Sequence, residues 1–360
     1  MTVNITLSAN PVAEAEREKL LQSPIFGTIF TDHMITATWT RDGGWQQPEL
    51  GPRKPFQMNP ENAAFHYGQQ LFEGMKAYRG ADGSIRLFRP AENAARMNRS
   101  ARRMAMPEVP PELFLDSVRT LVSVERGWIP AEGSLYLRPF MFADESFLGV
   151  RPANRCTFCV IASPAADYFR AGAKGLTVWV ENETSRAAPG GTGAAKCGGN
   201  YAGSLMAQSR ASSEGCDQVL FLSACGNRQI EELGGMNIFF VRKDGRVQTP
   251  PLGTILPGIT RASVIELLKA DGITVEEVPY TFDALQADVE AGEISEVFVC
   301  GTAAIIASVS RLKHSDGELE IGQPGETARR LRTTLQGIYT GDIAGPDGWS
   351  VIVEPEAVLG

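Results

Sequence analysis

Histidine is scarce in this 360-residue chain, which has only His33, His66 and His314. That scarcity argues against a histidine-based triad. With a single C-x-x-C pair, Cys156 and Cys159, it also argues against a structural zinc site. Six cysteines in so long a chain do not make a disulfide framework. The run R-C-T-F-C-V-I-A around Cys156 and Cys159 reads as a buried strand, where positions i and i+3 point to opposite faces. Both are expected to be reduced, structural thiols. There is no basic excess: 34 Lys and Arg against 42 Asp and Glu give a formal charge of −8, which excludes nucleic acid as the main partner. No apolar run approaches the roughly 18 residues of a membrane span. The start M-T-V-N-I-T-L-S-A-N-P lacks the basic and apolar regions of a signal peptide. A cytoplasmic protein without a membrane partner is the expectation.

What is present is ordinary globular material, 43% hydrophobic and 21% charged, long enough for two domains. Strands and helices mix in both halves, which predicts an α+β (mixed α/β) fold. The first domain is expected over 1–163. It holds a surface helix at 11–22, a sheet beginning within 25–39, helices from about Pro90 and from Pro111, and strands at 134–142 and 156–162. A linker over 164–175 is rich in Pro, Ala and Gly. The larger domain, 176–360, opens with the strand L-T-V-W-V. It continues through a helix from Tyr201 to Ser213, a strand at 218–223, a hairpin turning at Asp244-Gly245, helices at 260–270 and 324–337 and the strand E-V-F-V-C.

The stretch R-A-A-P-G-G-T-G-A-A-K-C-G-G-N-Y, Arg186 to Tyr201, sets one lysine, Lys196, among small residues. Glycine permits positive φ and close backbone approach to a bound group. A phosphate-binding P-loop is excluded, because its Gly-Lys-Ser/Thr is replaced here by Ala195-Lys196-Cys197. A lysine so placed suits a Schiff base with an aldehyde cofactor. A phosphorylated aldehyde needs donors for its phosphate, an acid beside its ring nitrogen and a hydrogen bond to its ring hydroxyl. L-P-G-I-T-R-A-S-V-I-E-L-L, 256–268, places a helix start where the amides of Ile259 and Thr260 would face a phosphate; the plainer alternative is a helix N-capped by Thr260. The acid falls in E-E-L-G-G-M-N-I-F, 231–239, although adjacent glutamates before Gly-Gly ordinarily make a solvated turn.

E-L-G-G-M-N-I-F, then V-Q-T, then L-P-G-I-T-R, resembles the signature of class IV aminotransferases, which use pyridoxal 5'-phosphate with a Glu-x-x-x-x-Asn motif. F-G-T-I-F-T-D-H-M, H-Y-G-Q-Q-L-F-E-G-M-K-A-Y, S-L-Y-L-R-P-F, K-C-G-G-N-Y and G-T-A-A narrow the likeness to the branched-chain amino-acid aminotransferases, over about Phe26 to Tyr339. The resemblance implies a two-domain fold type IV enzyme with its active site at the domain interface. It implies transfer of the amino group of leucine, isoleucine or valine to 2-oxoglutarate.

Carried over residue by residue, Lys196 holds the cofactor and moves the proton at the substrate Cα. Glu232 pairs with the pyridine nitrogen and Tyr201 with the ring hydroxyl. Arg96, Arg186 and the amides of Ile259 and Thr260 hold the phosphate. Phe30, Tyr67, Phe72, Tyr136 and Tyr168 are implied for the aliphatic pocket; without the resemblance such aromatics read as core. The turn Gly301-Thr302-Ala303-Ala304 is implied for the substrate carboxylate and Arg138 for the second carboxylate of glutamate. Relatives are homodimers or larger, with the partner subunit closing the pocket, which implicates Val150. Vertebrate relatives carry a redox C-x-x-C after the G-T-A turn, where Ala304 and Ala307 stand here, so no thiol switch is expected there. Gly235 replaces a threonine found in some relatives. The rival readings are a D-amino-acid aminotransferase, a lyase acting on aminodeoxychorismate, and a B6-binding protein without turnover.

Overall fold

A computed structural model describes residues 2–166 and 175–355. Contacts divide the chain into two compact units, Met1–Tyr168 with Gly337–Gly360, and Phe169–Gln336. Each has its own mixed sheet and its own apolar core. The architecture is the expected mixed α/β class, with eight α-helices among the described residues. Among those residues no helix is long and apolar enough to cross a membrane.

In the first unit the long strands Ser134–Ala143 and Arg155–Ala165 pair antiparallel along their whole length, from Ser134 opposite Ala165 to Ala143 opposite Cys156. Both are almost wholly buried, and His33–Thr40 extends the sheet beyond Arg155–Ala165. The helices Pro90–Arg103 and Pro111–Val124 each begin on a proline, whose fixed φ suits the first helical position and whose missing N–H costs nothing there. In Pro111–Val124, Leu113, Phe114, Val118, Leu121 and Val122 form a buried stripe at helical spacing. Phe114 packs against Phe158 of the sheet, ring centroids 6.0 Å apart.

Two domain expectations are corrected. The strand Arg155–Ala165 continues past the expected linker start at 164; residues 167–174 of that linker lie outside the described residues. The C-terminal segment belongs to the first unit rather than the second, because Ser350–Ile352 pairs antiparallel with Ile85–Phe88. Trp349 meets Phe88 there edge-to-face and lies beneath Arg89. A strand this short and this distant in sequence from its partner carries no local signal.

The second unit is built around Leu176–Glu181, which pairs parallel with both Gln218–Leu222 and Ile305–His314. Parallel neighbours need a crossover, and the stretch from 182 through the helix Gly198–Ser213 supplies it. Lys196 therefore lies beyond the carboxyl end of a strand and just ahead of a helix, where open α/β sheets hold ligands. The helix starts at Gly198, three residues before the expected Tyr201, with Cys197 as its N-cap. The helix Phe282–Glu290 and the strand Ile305–His314 were not anticipated; the Thr281 side chain capping Ala284 N–H is a start signal that was passed over.

Cys156 and Cys159 are buried and all six cysteines are free. Burial pushes the Cys156 thiol up to about 12 and raises that of Cys159 as well, as befits inert structural thiols. The first core should be sensitive to truncation at its centre. Phe158→Ala removes a fully buried ring lying against Phe114 and Trp45, and should cost about 3–5 kcal/mol, read as a lowered urea midpoint.

Candidate active site

Lys196 and Tyr201 meet directly: Lys196 Nζ donates to the Tyr201 hydroxyl at 2.9 Å. The contact follows from a loop folded onto the helix it precedes. Asn200, at the third helical position, donates through Nδ2 to the carbonyls of Thr192 and Ala195, both at 2.8 Å, and accepts the Thr192 hydroxyl at 2.7 Å. One buried amide thus adds to the loop's own turn hydrogen bonds, Gly191 N–H to the Ala188 carbonyl and Ala195 N–H to the Thr192 carbonyl, and ties the loop to its helix. The loop's glycines serve close approach at Gly193, where a Cβ would stand 1.9 Å from the Thr254 carbonyl oxygen. Backbone there lies against backbone, and only glycine fits.

Glu232 is the electrostatic centre. It lies on the strand Ile230–Leu233, 2% exposed. Its Oε1 accepts from Arg186 Nη1 at 2.8 Å and from the Leu256 amide at 2.8 Å, and its Oε2 accepts from Asn237 Nδ2 at 3.0 Å. Burial pushes its carboxyl up to about 7, against downward pulls from Arg186, the Leu256 amide and Lys196. Arg186, expected at a phosphate, is itself buried and held here, donating also to the Gly193 carbonyl. Glu231 is buried too, so the alternative of a solvated turn does not hold: its Oε1 accepts the Thr254 hydroxyl and burial raises its carboxyl. Both glutamates therefore fasten the 254–256 segment.

That segment leads into the helix Ile259–Ala270. Its N-cap is Gly258 and no side chain caps it, so Thr260 is a helical residue rather than the cap. The first N–H groups of a helix have no partner within it, and here they are those of Ile259 and Thr260. Gly258 is required because a Cβ would fall 2.0 Å from Asn237 Oδ1. The turn 302–304 stands at the same end of the sheet, since Asn237 pairs with Cys300 and a Cβ on Gly301 would meet the Gly235 carbonyl.

The remaining expected residues lie in the first unit or outside the description. Arg96 is buried and gripped by Glu73 through Nε at 2.8 Å and Nη2 at 2.7 Å, a bidentate pair that fixes the guanidinium plane. A cavity of about 320 Å³ is lined by Phe26, Phe30, Tyr136, Arg138 and Ile161 among others. Arg138 donates to the Tyr136 hydroxyl at 2.9 Å and lies over the Phe72 ring at 4.7 Å, while its buried Nε has no hydrogen-bond partner. Phe30, Phe72, Tyr136 and Arg138 are thus brought together. Tyr67 instead donates to the Leu148 carbonyl and packs by Phe147, and Val150 is 89% exposed. Tyr168 lies outside the described residues. Asn200 and Thr254 were missed: a polar residue one turn into a helix looks like surface until its partners are known. Among the described residues no three His, Cys, Asp or Glu side chains are grouped to hold a metal.

A lysine touching a tyrosine, a buried carboxylate and an uncapped helix start together define an amine-and-anion site of the kind aminotransferases use. The amino-transferase class IV family matches residues 70–312, and the chain belongs to it. A branched-chain-amino-acid aminotransferase of Mycolicibacterium smegmatis is 51% identical over 354 residues, covering 96% of this chain and 96% of the relative. The Escherichia coli branched-chain amino acid aminotransferase structure superposes with a TM-score of 0.74 at 29% identity, over 88% of this chain and 99% of that one. The T.th. branched-chain amino acid aminotransferase complexed with N-(5'-phosphopyridoxyl)-L-glutamate gives 0.72 at 30% identity, over 88% and 98%.

Burial of Glu232 has a measurable sign. A carboxyl raised by folding favours the folded state while protonated, so its contribution is present below about 4.5 and lost as pH rises through about 7. Cofactor-free protein should lose stability on the order of 3 kcal/mol across that window. Glu232→Gln, which is neutral at every pH, should lack this slope in urea midpoints measured against pH.

Proposed function

We propose that this protein is a branched-chain-amino-acid aminotransferase, moving the amino group of leucine, isoleucine or valine to 2-oxoglutarate with pyridoxal phosphate as cofactor. The observation that carries the reading is the Lys196–Tyr201 contact at 2.9 Å, set beside a buried Glu232 in a chain half identical to a full-length relative of that name. The residues fit the cofactor. Each carboxylate oxygen has two lone pairs. Oε1 of Glu232 uses both, on Arg186 and Leu256, whereas Oε2 receives only Asn237, leaving room for a pyridine N–H.

When bound, pyridoxal phosphate supplies an electron sink next to the substrate's Cα. The chain's own residues do the rest. Glu232 Oε2 accepts the ring N–H, and Arg186 holds that carboxylate in place. The Tyr201 hydroxyl orients the ring oxygen. Lys196 Nζ takes the Cα proton and returns it, a transfer for which a positioned amine is suited. The amides of Ile259 and Thr260 receive the phosphate, aided by the helix dipole. Arg96 joins them on the strength of the sequence resemblance.

For the substrate, the N–H groups of Thr302, Ala303 and Ala304 are assigned to the α-carboxylate. Phe30, Phe72 and Tyr136 are assigned to an apolar side chain, with Tyr67, Tyr168 and a second copy's Val150 by the same resemblance. Arg138 is assigned to the distal carboxylate of 2-oxoglutarate. Its unpartnered Nε, set among aromatic rings, favours a pocket serving both kinds of side chain over a D-alanine or aminodeoxychorismate site. A homodimer is supported by the exposed apolar Phe65, Leu148 and Val150, and a cytoplasmic location by six free thiols.

Lys196→Ala should abolish glutamate production from leucine and 2-oxoglutarate together with the borohydride-trapped cofactor adduct; a surviving adduct places the reactive amine elsewhere. In a substrate panel, preference for D-alanine or pyruvate release from aminodeoxychorismate would overturn the assignment. Trapping of the cofactor without turnover of leucine would instead make the protein a B6 carrier. Arg138→Ala should raise KM for 2-oxoglutarate about 30-fold, the loss of one charge-assisted hydrogen bond, with a much smaller change for leucine. Equal losses for both would make Arg138 structural.

A further inference from the structure

The turn 302–304 joins the antiparallel strands Ile294–Gly301 and Ile305–His314, with Gly301 opposite Ile305. Three-residue hairpin loops commonly close through a residue in the left-handed region, and glycine is the ordinary occupant. Here the left-handed residue is Ile305, the first strand residue after the turn, at φ 62°. Among the described residues it is the only β-branched side chain at positive φ, and for such a residue that conformation is a genuine outlier. Its side chain is 3% exposed, so it is anchored in the core of the unit.

A strained residue persists only where its surroundings over-determine it. Two carbonyls near Ile305, that of the residue before it and that of the residue after it, are held by one side chain from the far end of the unit's sequence. Arg332, on the helix Glu326–Thr340, donates through Nη1 to the Ala304 carbonyl at 2.9 Å and to the Ile306 carbonyl at 2.8 Å. One nitrogen with two hydrogens thus grips the carbonyls on either side of the left-handed residue. Guanidinium suits this because its donors are planar and fixed in direction. With the Ala304 carbonyl tied toward the helix, the 304–305 peptide, which would have to rotate to relax Ile305, is held in place.

We infer that Arg332 is a positioning residue for the reaction: by clamping the carbonyls of Ala304 and Ile306 it holds the strained Ile305, and with it the adjoining turn 302–304, in the form that receives the substrate's α-carboxylate. The inference rests on the assignment of that turn to the carboxylate. It makes a specific demand, because both substrates carry the same α-carboxylate. Loosening the turn should weaken leucine and 2-oxoglutarate alike, unlike the one-sided effect expected at Arg138.

The test is Arg332→Met in the cofactor-loaded enzyme, with KM and kcat for both substrates and amide hydrogen exchange of the 301–306 segment. KM should rise roughly tenfold for leucine and 2-oxoglutarate together, the scale of releasing one strained residue. kcat should change less, the cofactor absorbance should persist, and exchange across 301–306 should quicken. Arg332→Lys keeps the charge on a flexible stem with rotatable donors, and should fall between; it also serves if the Met variant fails to fold. Unchanged exchange overturns the clamp directly. Faster exchange with unchanged KM overturns the inference through the reading it rests on, by removing the turn from the carboxylate site. A fall in thermal stability with neither KM nor exchange altered would make Arg332 a support of the helix alone, which also overturns it.

Discussion

A carboxylate withdrawn from water costs several kcal/mol unless donors replace its hydration, and Glu232 imposes that demand on the second unit. Its donors come from three separate places: a guanidinium from the loop before Lys196, an amide from the segment before the helix Ile259–Ala270, and a side-chain amide from the next strand. Each donor brings its segment with it. Arg186 also reaches the Gly193 carbonyl, so the reactive loop is tied to the same carboxylate. Asn237 also reaches the Leu256 carbonyl. Satisfying one buried carboxylate therefore draws together the lysine loop, the segment before the helix Ile259–Ala270 and the strand that carries Asn237.

Glycines at Gly193 and Gly258 are the steric counterpart of that electrostatic demand. Each stands where a neighbouring oxygen would collide with any Cβ. Loops drawn together by shared hydrogen bonds have to touch somewhere, and these two positions are where backbone meets backbone or a buried amide. Close contact of this kind accounts for Gly193 in the loop before Lys196, whereas Gly190 is required for its positive φ of 73°. Loops free to move would have no need of such packing.

Much of the fold was legible because its signals are local. Proline starts two helices of the first unit, and apolar spacing marks the buried stripe of Pro111–Val124. The strands Ser134–Ala143 and Arg155–Ala165 read as near-continuous apolar runs. The errors fall where long-range pairing decides. The C-terminal strand joins the first unit through Ile85–Phe88, far away in sequence, with Ser350 opposite Phe88. The helix capped by Thr281 was overlooked for its shortness. At the site, motif spacing identified Lys196, Tyr201 and Glu232 as candidates. It was silent on Arg186 as the counter-charge, on the burial of Glu231, and on Asn200, because a polar side chain declares its partner only once folded.

The sequence by itself determined the family, the mixed α/β class and the order of the chemical motifs, since these reside in residue type and short-range spacing. Only the tertiary structure decided which cation neutralises Glu232, which amide folds the lysine loop onto its helix, and which arginine restrains the strained Ile305 turn. Those choices depend on distances between segments far apart in the chain, and a linear order of residues carries no distance of that kind.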